Sequence, residues 1–257
     1  MSRTRGSEAP AATPEAMLSK ASMATTAGLR AKYALRGLGH RGTVDRTTRA
    51  MLLRQLYLSH MESRRFEEAL GVAEQMVHLD VMPDVARQDV ARAHLGMQQV
   101  DEAIRHLRLA SRSCPPSRRA FHLWTLGSVL CLSGRPREAI SALSRAVRWS
   151  TTDRPLYRAQ LALAKIACDE DPGDLNDLRD RLADAPCGQG YGKFVLGELS
   201  YHMKADAEAI EYLSEFIRRS TGGRVALAVA LEAEVSRART LLRRLKQRRR
   251  NAKKSDS

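Results

Sequence analysis

The sequence predicts an all-α chain: a right-handed helical-repeat solenoid of about five helix pairs, with an N-terminal helix before it and a long C-terminal capping helix after it. Three observations predict this. A short pattern recurs as FEEALGVA (66–73), VDEAIRHL (100–107), RPREAISAL (135–143) and DAEAIEYL (206–213), with Ala69, Ala103, Ala139 and Ala209 in step. The spacings are 34, 36 and 70 residues. Seventy is two periods, so a degenerate copy is expected around Asp174 to Leu178, and a fixed period of this size is the mark of stacked repeats. Each copy is also preceded by a large and mostly small pair, Leu56-Tyr57, Val90-Ala91, Leu126-Gly127, Leu161-Ala162 and Leu196-Gly197. Small residues there let two helices approach closely. Finally, Pro or Gly marks several joints, as at Pro83, Pro115-Pro116, Pro155 and the GQGYG run at 188–192, and no period-2 pattern suggests a strand.

The elements follow in order. Residues 1–13 are polar and expected to be disordered, and 14–49 form an N-terminal helix and linker, with the helix over 16–38 ending at Gly39. The repeats occupy 50–223, divided as 50–83, 84–119, 120–154, 155–189 and 190–223. In the fourth, Asp174 stands at the usual small position, so its second helix is expected to be short or tilted. Leu227, Leu231, Val235, Ala238, Leu241, Leu242 and Leu245 then step by three or four along a capping helix over 224–247, which would cover the open end of the array. A basic, disordered tail is expected over 248–257.

The unit LWTLGSVLCLSGRPREAISALSRAV (123–147), with Leu126-Gly127, Gly134 at the inter-helix turn, Ala139, Leu143 and Ala146, resembles a tetratricopeptide repeat. The resemblance covers about two thirds of the chain. It implies a groove lined by the first helix of each pair and a protein or peptide ligand held there. Members that clamp a C-terminal carboxylate use a Lys and Asn pair in the first groove helix. Here Arg54 and Leu58 stand in those places, with Gln88 and Arg92 in the second repeat, so the resemblance does not extend to the clamp.

Composition narrows the function classes. At 43% hydrophobic residues the 257-residue chain can bury a core. Cys114, Cys131, Cys168 and Cys187 form no CxxC pair, which suggests neither a disulfide framework nor a zinc site, and points to a reducing, cytoplasmic setting. No secretory h-region or membrane span is present; a mitochondrial presequence is the weaker reading of the acid-poor start, against which Glu8 and Glu15 count. The preference for Arg over Lys suggests a bacterial source with a GC-rich genome.

The net charge of +14 is unevenly placed. Residues 1–50 carry +6, residues 243–257 carry +7, and the long middle only +1. Within that middle, residues 105–158 hold eleven basic and two acidic groups, while 169–215 hold four and twelve. Separated fields of this kind steer partners.

No catalytic constellation is legible. The GQGYGK segment has Cys187 where a P-loop needs Gly, Phe194 where it needs Ser or Thr, and no preceding strand, so it reads as a turn. There is no HExxH, no Cys/His metal spacing and no recognisable nucleophile with its base, so neither a catalytic residue, a cofactor nor a metal is expected, and an enzyme is the most distant reading. The candidate protein-binding groove comprises Arg54, Gln88, Arg92, Phe121, Trp124, Ser128, Tyr191, Phe194, Glu198 and Tyr201, whose aromatic members are the types that dominate contact energy. Its competing occupants are the helix over 16–38 and a second copy of the chain. The alternative site is a polyanion-binding tail, Arg243, Arg244, Lys246, Arg248, Arg249, Arg250, Lys253 and Lys254, which would dock the chain on nucleic acid or an anionic membrane. The leading expectation is a non-enzymatic scaffold or adaptor that takes an acidic protein segment in its groove.

Overall fold

The computed structural model describes residues 13–223 and 225–255, which contain fourteen α-helices and no strand. The segment 1–12, most of the expected disordered start, lies outside the described residues. Thr13 is the N-cap of the first helix, its hydroxyl accepting from the Ala16 N–H at 3.2 Å. The chain forms two compact units, residues 1–97 and 98–257.

The first unit contains α1 (Pro14–Met23), α2 (Ala27–Leu38), α3 (Arg46–Glu62), α4 (Phe66–Leu79) and α5 (Pro83–Gly96). The expected single helix over 16–38 is two. Thr26 breaks it by adopting extended backbone and capping α2 through the Leu29 N–H, which satisfies one of the free donors of a new helix start. The α1–α2 hairpin packs on α3. Met17 and Ala21 are buried, Gly37 lies close against the Leu52 side chain, Ser59 donates to the Ala27 carbonyl at 2.7 Å, and Arg30 pairs with Glu62. The hairpin therefore packs on the face of α3 that carries Leu52, Ser59 and Glu62. Asp45 starts α3 by accepting from the Thr47 and Thr48 N–H groups at 2.9 and 3.0 Å.

The second unit contains α6 (Val100–Ser113), α7 (Pro116–Leu132), α8 (Pro136–Trp149), α9 (Arg154–Ile166), α10 (Leu175–Asp184), α11 (Gly192–His202), α12 (Asp206–Thr221), α13 (Val225–Ala230) and α14 (Glu232–Ser255). Close approach within the pairs is set at the small positions the sequence marks. A Cβ on Gly127 would sit 2.5 Å from Leu143 Cγ, and one on Gly197 at the same distance from Leu213 Cγ. Ala139, Leu143, Ala209 and Leu213 are all fully buried.

The period is written most plainly in the backbone. Arg64, Gln98, Gly134, Asp169 and Lys204 have φ of 55, 62, 72, 58 and 60°, so the first helix of each pair ends on a left-handed residue. In four of these turns the next residue's N–H reaches back to a helix-end carbonyl at 2.9 Å: Arg65 to His60, Arg135 to Leu130, Glu170 to Lys165 and Ala205 to Ser200. This is the Schellman ending of a helix. The second helix starts two residues after the left-handed residue at Phe66, Val100, Pro136 and Asp206, but six after it in the fourth repeat, at Leu175.

That delay corrects the expected register of the fourth copy. Pro172 and Gly173 carry the chain away from helix, and Asp174 is an N-cap, accepting from the Asn176 and Asp177 N–H groups at 2.9 and 3.2 Å. The position held by Ala in the other copies falls on Leu178, and the interior Leu position on Leu182, the one fully buried residue of α10. The helix is short, ten residues, as expected.

The capping region also departs from expectation. Instead of one helix over 224–247, α13 leaves Val225 and Leu227 exposed and α14 begins at Glu232. Val235, Ala238, Leu241 and Leu245 of α14 are buried with Leu213 and Phe216 in the core of the second unit. From there α14 runs to Ser255, through most of the expected disordered tail. Arg, Lys, Gln and Ala are good helix formers, and extending an anchored helix needs no new nucleus.

Candidate functional site

The expected groove residues lie on first helices of the pairs, and each unit organises its own set. In the first unit, α3 carries Arg54 and α5 carries Gln88, Asp89 and Arg92. Arg54 Nε donates to Asp89 Oδ2 at 3.2 Å, Arg92 reaches Asp89 Oδ1 at 3.5 Å, and the Tyr57 hydroxyl donates to the Asp89 carbonyl at 3.0 Å. Asp89 is buried, while the two guanidinium side chains are 34% and 37% exposed. Burial pushes the Asp89 carboxyl above its usual range, opposed by Arg92 and then Arg54. Two fixed cations thus share one carboxylate, leaving a positive excess at the surface. The sequence pattern does not single out Asp89. Its only signal is its place 35 residues after Arg54 and one helical turn before Arg92. Gln88 is buried, so it serves packing rather than contact.

In the second unit, the aromatic residues stack on one another. Trp124 lies 5.6 Å from Tyr157, stacked, and 5.0 Å from Tyr191, edge to face; Tyr191 continues to Phe194 and Phe216. Such pairs add about 0.5 to 1.5 kcal/mol beyond the area they bury. Phe194 is fully buried and Ser128 nearly so, which removes both from an accessible binding surface. Gln160 ties the layer together, accepting from Trp124 Nε1 at 2.5 Å and from the Ser128 hydroxyl at 3.1 Å. Phe121, at 40% exposure, is the groove aromatic that remains open.

α14 occupies part of this face. Its Arg237 donates to Glu198 at 2.9 Å and its Glu234 accepts from the Tyr191 hydroxyl at 3.4 Å. Burial raises the Glu198 carboxyl despite Arg237, and burial with the nearby Glu234 charge raises the Tyr191 phenol well above its usual value. Arg248 lies over the Tyr201 ring at 4.3 Å. Desolvation of the half-buried Cys131 thiol, with Glu198 nearby, pushes it up to about 12, so it is protonated at neutral pH. The four cysteines are unpaired.

GQGYG is a turn. The amides of Gly188, Gln189, Lys193 and Phe194 all donate to local carbonyls, so they are not aimed at an anion. Gly188 and Gly192 are needed for close backbone approach, since a Cβ would fall 1.9 Å from the Leu182 carbonyl oxygen and 2.2 Å from that of Cys187.

The basic candidates Arg243, Arg244, Lys246, Arg248, Arg249 and Arg250 are exposed along α14, and Lys253 and Lys254 belong to its last described turn. No described helix is long and apolar enough to cross a membrane.

Taken with the repeated turns, the helix pairs form an all-α array of helical repeats. No family model and no curated protein matches the chain. Among solved structures it is similar to YrrB, a TPR protein with an unusual peptide-binding site, at 18% identity over 70% of this chain and 90% of that one, with a TM-score of 0.41. It is similar to MamA at 17% identity over 70% and 95%, TM-score 0.44. It is also similar to nearly identical TPR-like repeats of a putative kinesin light chain from Podosopora anserina, at 16% over 80% and 96%, TM-score 0.44.

Proposed function

We propose that the chain is a non-enzymatic scaffold whose first-helix face binds an acidic protein segment in a reducing compartment. The observation that carries this reading is the Arg54–Asp89–Arg92 cluster: a buried carboxylate fixes two guanidinium groups, each about one third exposed, at positions that line the ligand groove in proteins of this architecture. Arginine forks held in place lose little entropy on meeting a carboxylate, and they remain charged at any physiological pH. The protonated Cys131 thiol and the inward hydrogen bonds of Trp124, Ser128 and Tyr191 fit packing roles better than catalytic ones.

The test is affinity selection of a random peptide display library on the intact chain and on Arg54→Ala/Arg92→Ala. The chain should enrich Asp- and Glu-rich segments, and the double variant should bind the selected peptides at least about tenfold more weakly, the worth of one charge-assisted hydrogen bond. Enrichment of basic or uncharged peptides, or equal binding by the variant, overturns the reading.

A further inference from the structure

α14 has two parts that differ in what surrounds them. Leu241 and Leu245 are buried, and Arg249 follows them at the same four-residue step, yet it is exposed. The stripe that anchors α14 therefore ends at Leu245. Beyond it every described side chain, Lys246 to Asn251, is exposed while the backbone stays helical to Ser255. Ten residues of helix past Leu245 extend about 15 Å.

The cations of this stretch contrast with those that the fold holds in ion pairs. Arg54, Arg92, Arg105, Arg108, Arg135, Arg179 and Arg237 are each paired with a carboxylate. Among the described residues, Arg244, Lys246, Arg249 and Arg250 have no such partner, and Arg248 alone reaches one, Asp206 at 3.5 Å, while its guanidinium rests on Tyr201. At about 100° per residue, positions 243, 244, 246, 249 and 250 fan over about 220° of the helix, and the remaining sector is the side of Leu241, Leu245 and Arg248. No apolar residue is exposed between 243 and 251.

We infer that the free end of α14 binds duplex DNA through its phosphates, entering the major groove without reading sequence. A helix whose cations span more than half of its circumference suits a cleft with phosphates on both walls, and the major groove of B-form DNA, about 12 Å wide, admits an α-helix. The major groove of duplex RNA is too deep and narrow for that. A membrane-surface helix needs an apolar side to bury among lipid chains, and this stretch has none. With no aromatic side chain present, stacking on single-stranded bases is not on offer. The inference is independent of the acidic-segment reading, since it concerns other residues and a different anionic ligand.

The experiment is fluorescence anisotropy with the intact chain and a labelled 24-bp DNA duplex of mixed sequence, from about 50 to 200 mM salt. Parallel arms use an unrelated duplex, the same sequence as duplex RNA, and vesicles of phosphatidylserine and phosphatidylcholine. Arg244→Gln/Lys246→Gln/Arg249→Gln/Arg250→Gln keeps good helix formers at exposed positions, and Arg249→Glu alone is a milder second variant; circular dichroism checks both. Both DNA duplexes should bind alike, with affinity falling steeply as salt rises. The fourfold variant should bind at least about tenfold more weakly, with a log–log salt slope shallower by about 0.9 for each phosphate no longer neutralised. Unchanged binding by both variants, absence of DNA binding at the lowest salt, or preference for the RNA duplex or the vesicles overturns the proposal.

Discussion

Of the five left-handed residues that end the first helix of each pair, four are not glycine, and each of these carries a backbone penalty that Gly134 avoids. A side chain at positive φ brings its Cβ near the following carbonyl, at about 1 to 2 kcal/mol. Lys204 has φ 60°, and no atom lies within 4 Å of where a Cβ on Gly134 would stand, so backbone conformation dominates at both positions. Lys204→Gly should therefore raise stability by about 1 kcal/mol and Gly134→Ala lower it by a similar amount, read as opposite shifts of the urea midpoint. Shifts of the same sign would mean that these turns are not held in the left-handed conformation. Gly134 is recognisable from the sequence because glycine advertises such a turn. Arg64, Gln98, Asp169 and Lys204 are not, since nothing in their chemistry announces positive φ. Only the period places them. Asp89 is hidden for a related reason: an acid one helical turn before an arginine reads as a solvated surface pair until the structure shows it buried.

At the scale of the element, the fourth repeat shows where periodicity misleads. Counting by 35 places its small residue at Asp174, but the count assumes turns of one length. Pro172, Gly173 and the Asp174 cap lengthen this turn by four residues, so Leu178 takes the place of Ala and Leu182 that of the interior Leu. A Leu at the small position holds the two helices apart, and α10 keeps a single fully buried side chain where α8 has four buried residues. With so little burial, α10 should open locally at lower free energy than its neighbours. Hydrogen exchange followed by mass spectrometry should show the amides of 178–184 exchanging at least about tenfold faster than those of 140–149 in α8 and 210–219 in α12, a difference of about 1.4 kcal/mol in opening energy. Equal protection would show that α10 is held by something other than Leu182. The same paucity of burial explains why the copy is degenerate in sequence: a helix with one core position needs only one core residue.

At the scale of the whole molecule, stability in a repeat protein is a sum of local terms, because each helix pair touches only its neighbours. An uncovered outer helix is then a weak point, and each unit covers one. The α1–α2 hairpin covers α3, and α14 covers α11 and α12 through Val235, Ala238, Leu241 and Leu245. The cap is legible as a stripe of apolar residues; its true start is not, because Val225 and Leu227 continue the stripe in sequence while α13 leaves them exposed. If α14 is a local cap, loosening it should be felt locally. Leu241→Ala/Leu245→Ala removes two buried side chains at about 2 to 5 kcal/mol each when truncated. Amide exchange in α11 and α12 should then accelerate strongly while α3 and α4 keep their protection. The helical signal of 246–255 should fall as well, since that stretch is helical only by extension from the anchored turn. A variant in which α3 and α4 lose as much protection as α11 and α12 would show that the chain unfolds as a single cooperative body, and that α14 is a keystone of the whole fold instead of the cap of one end.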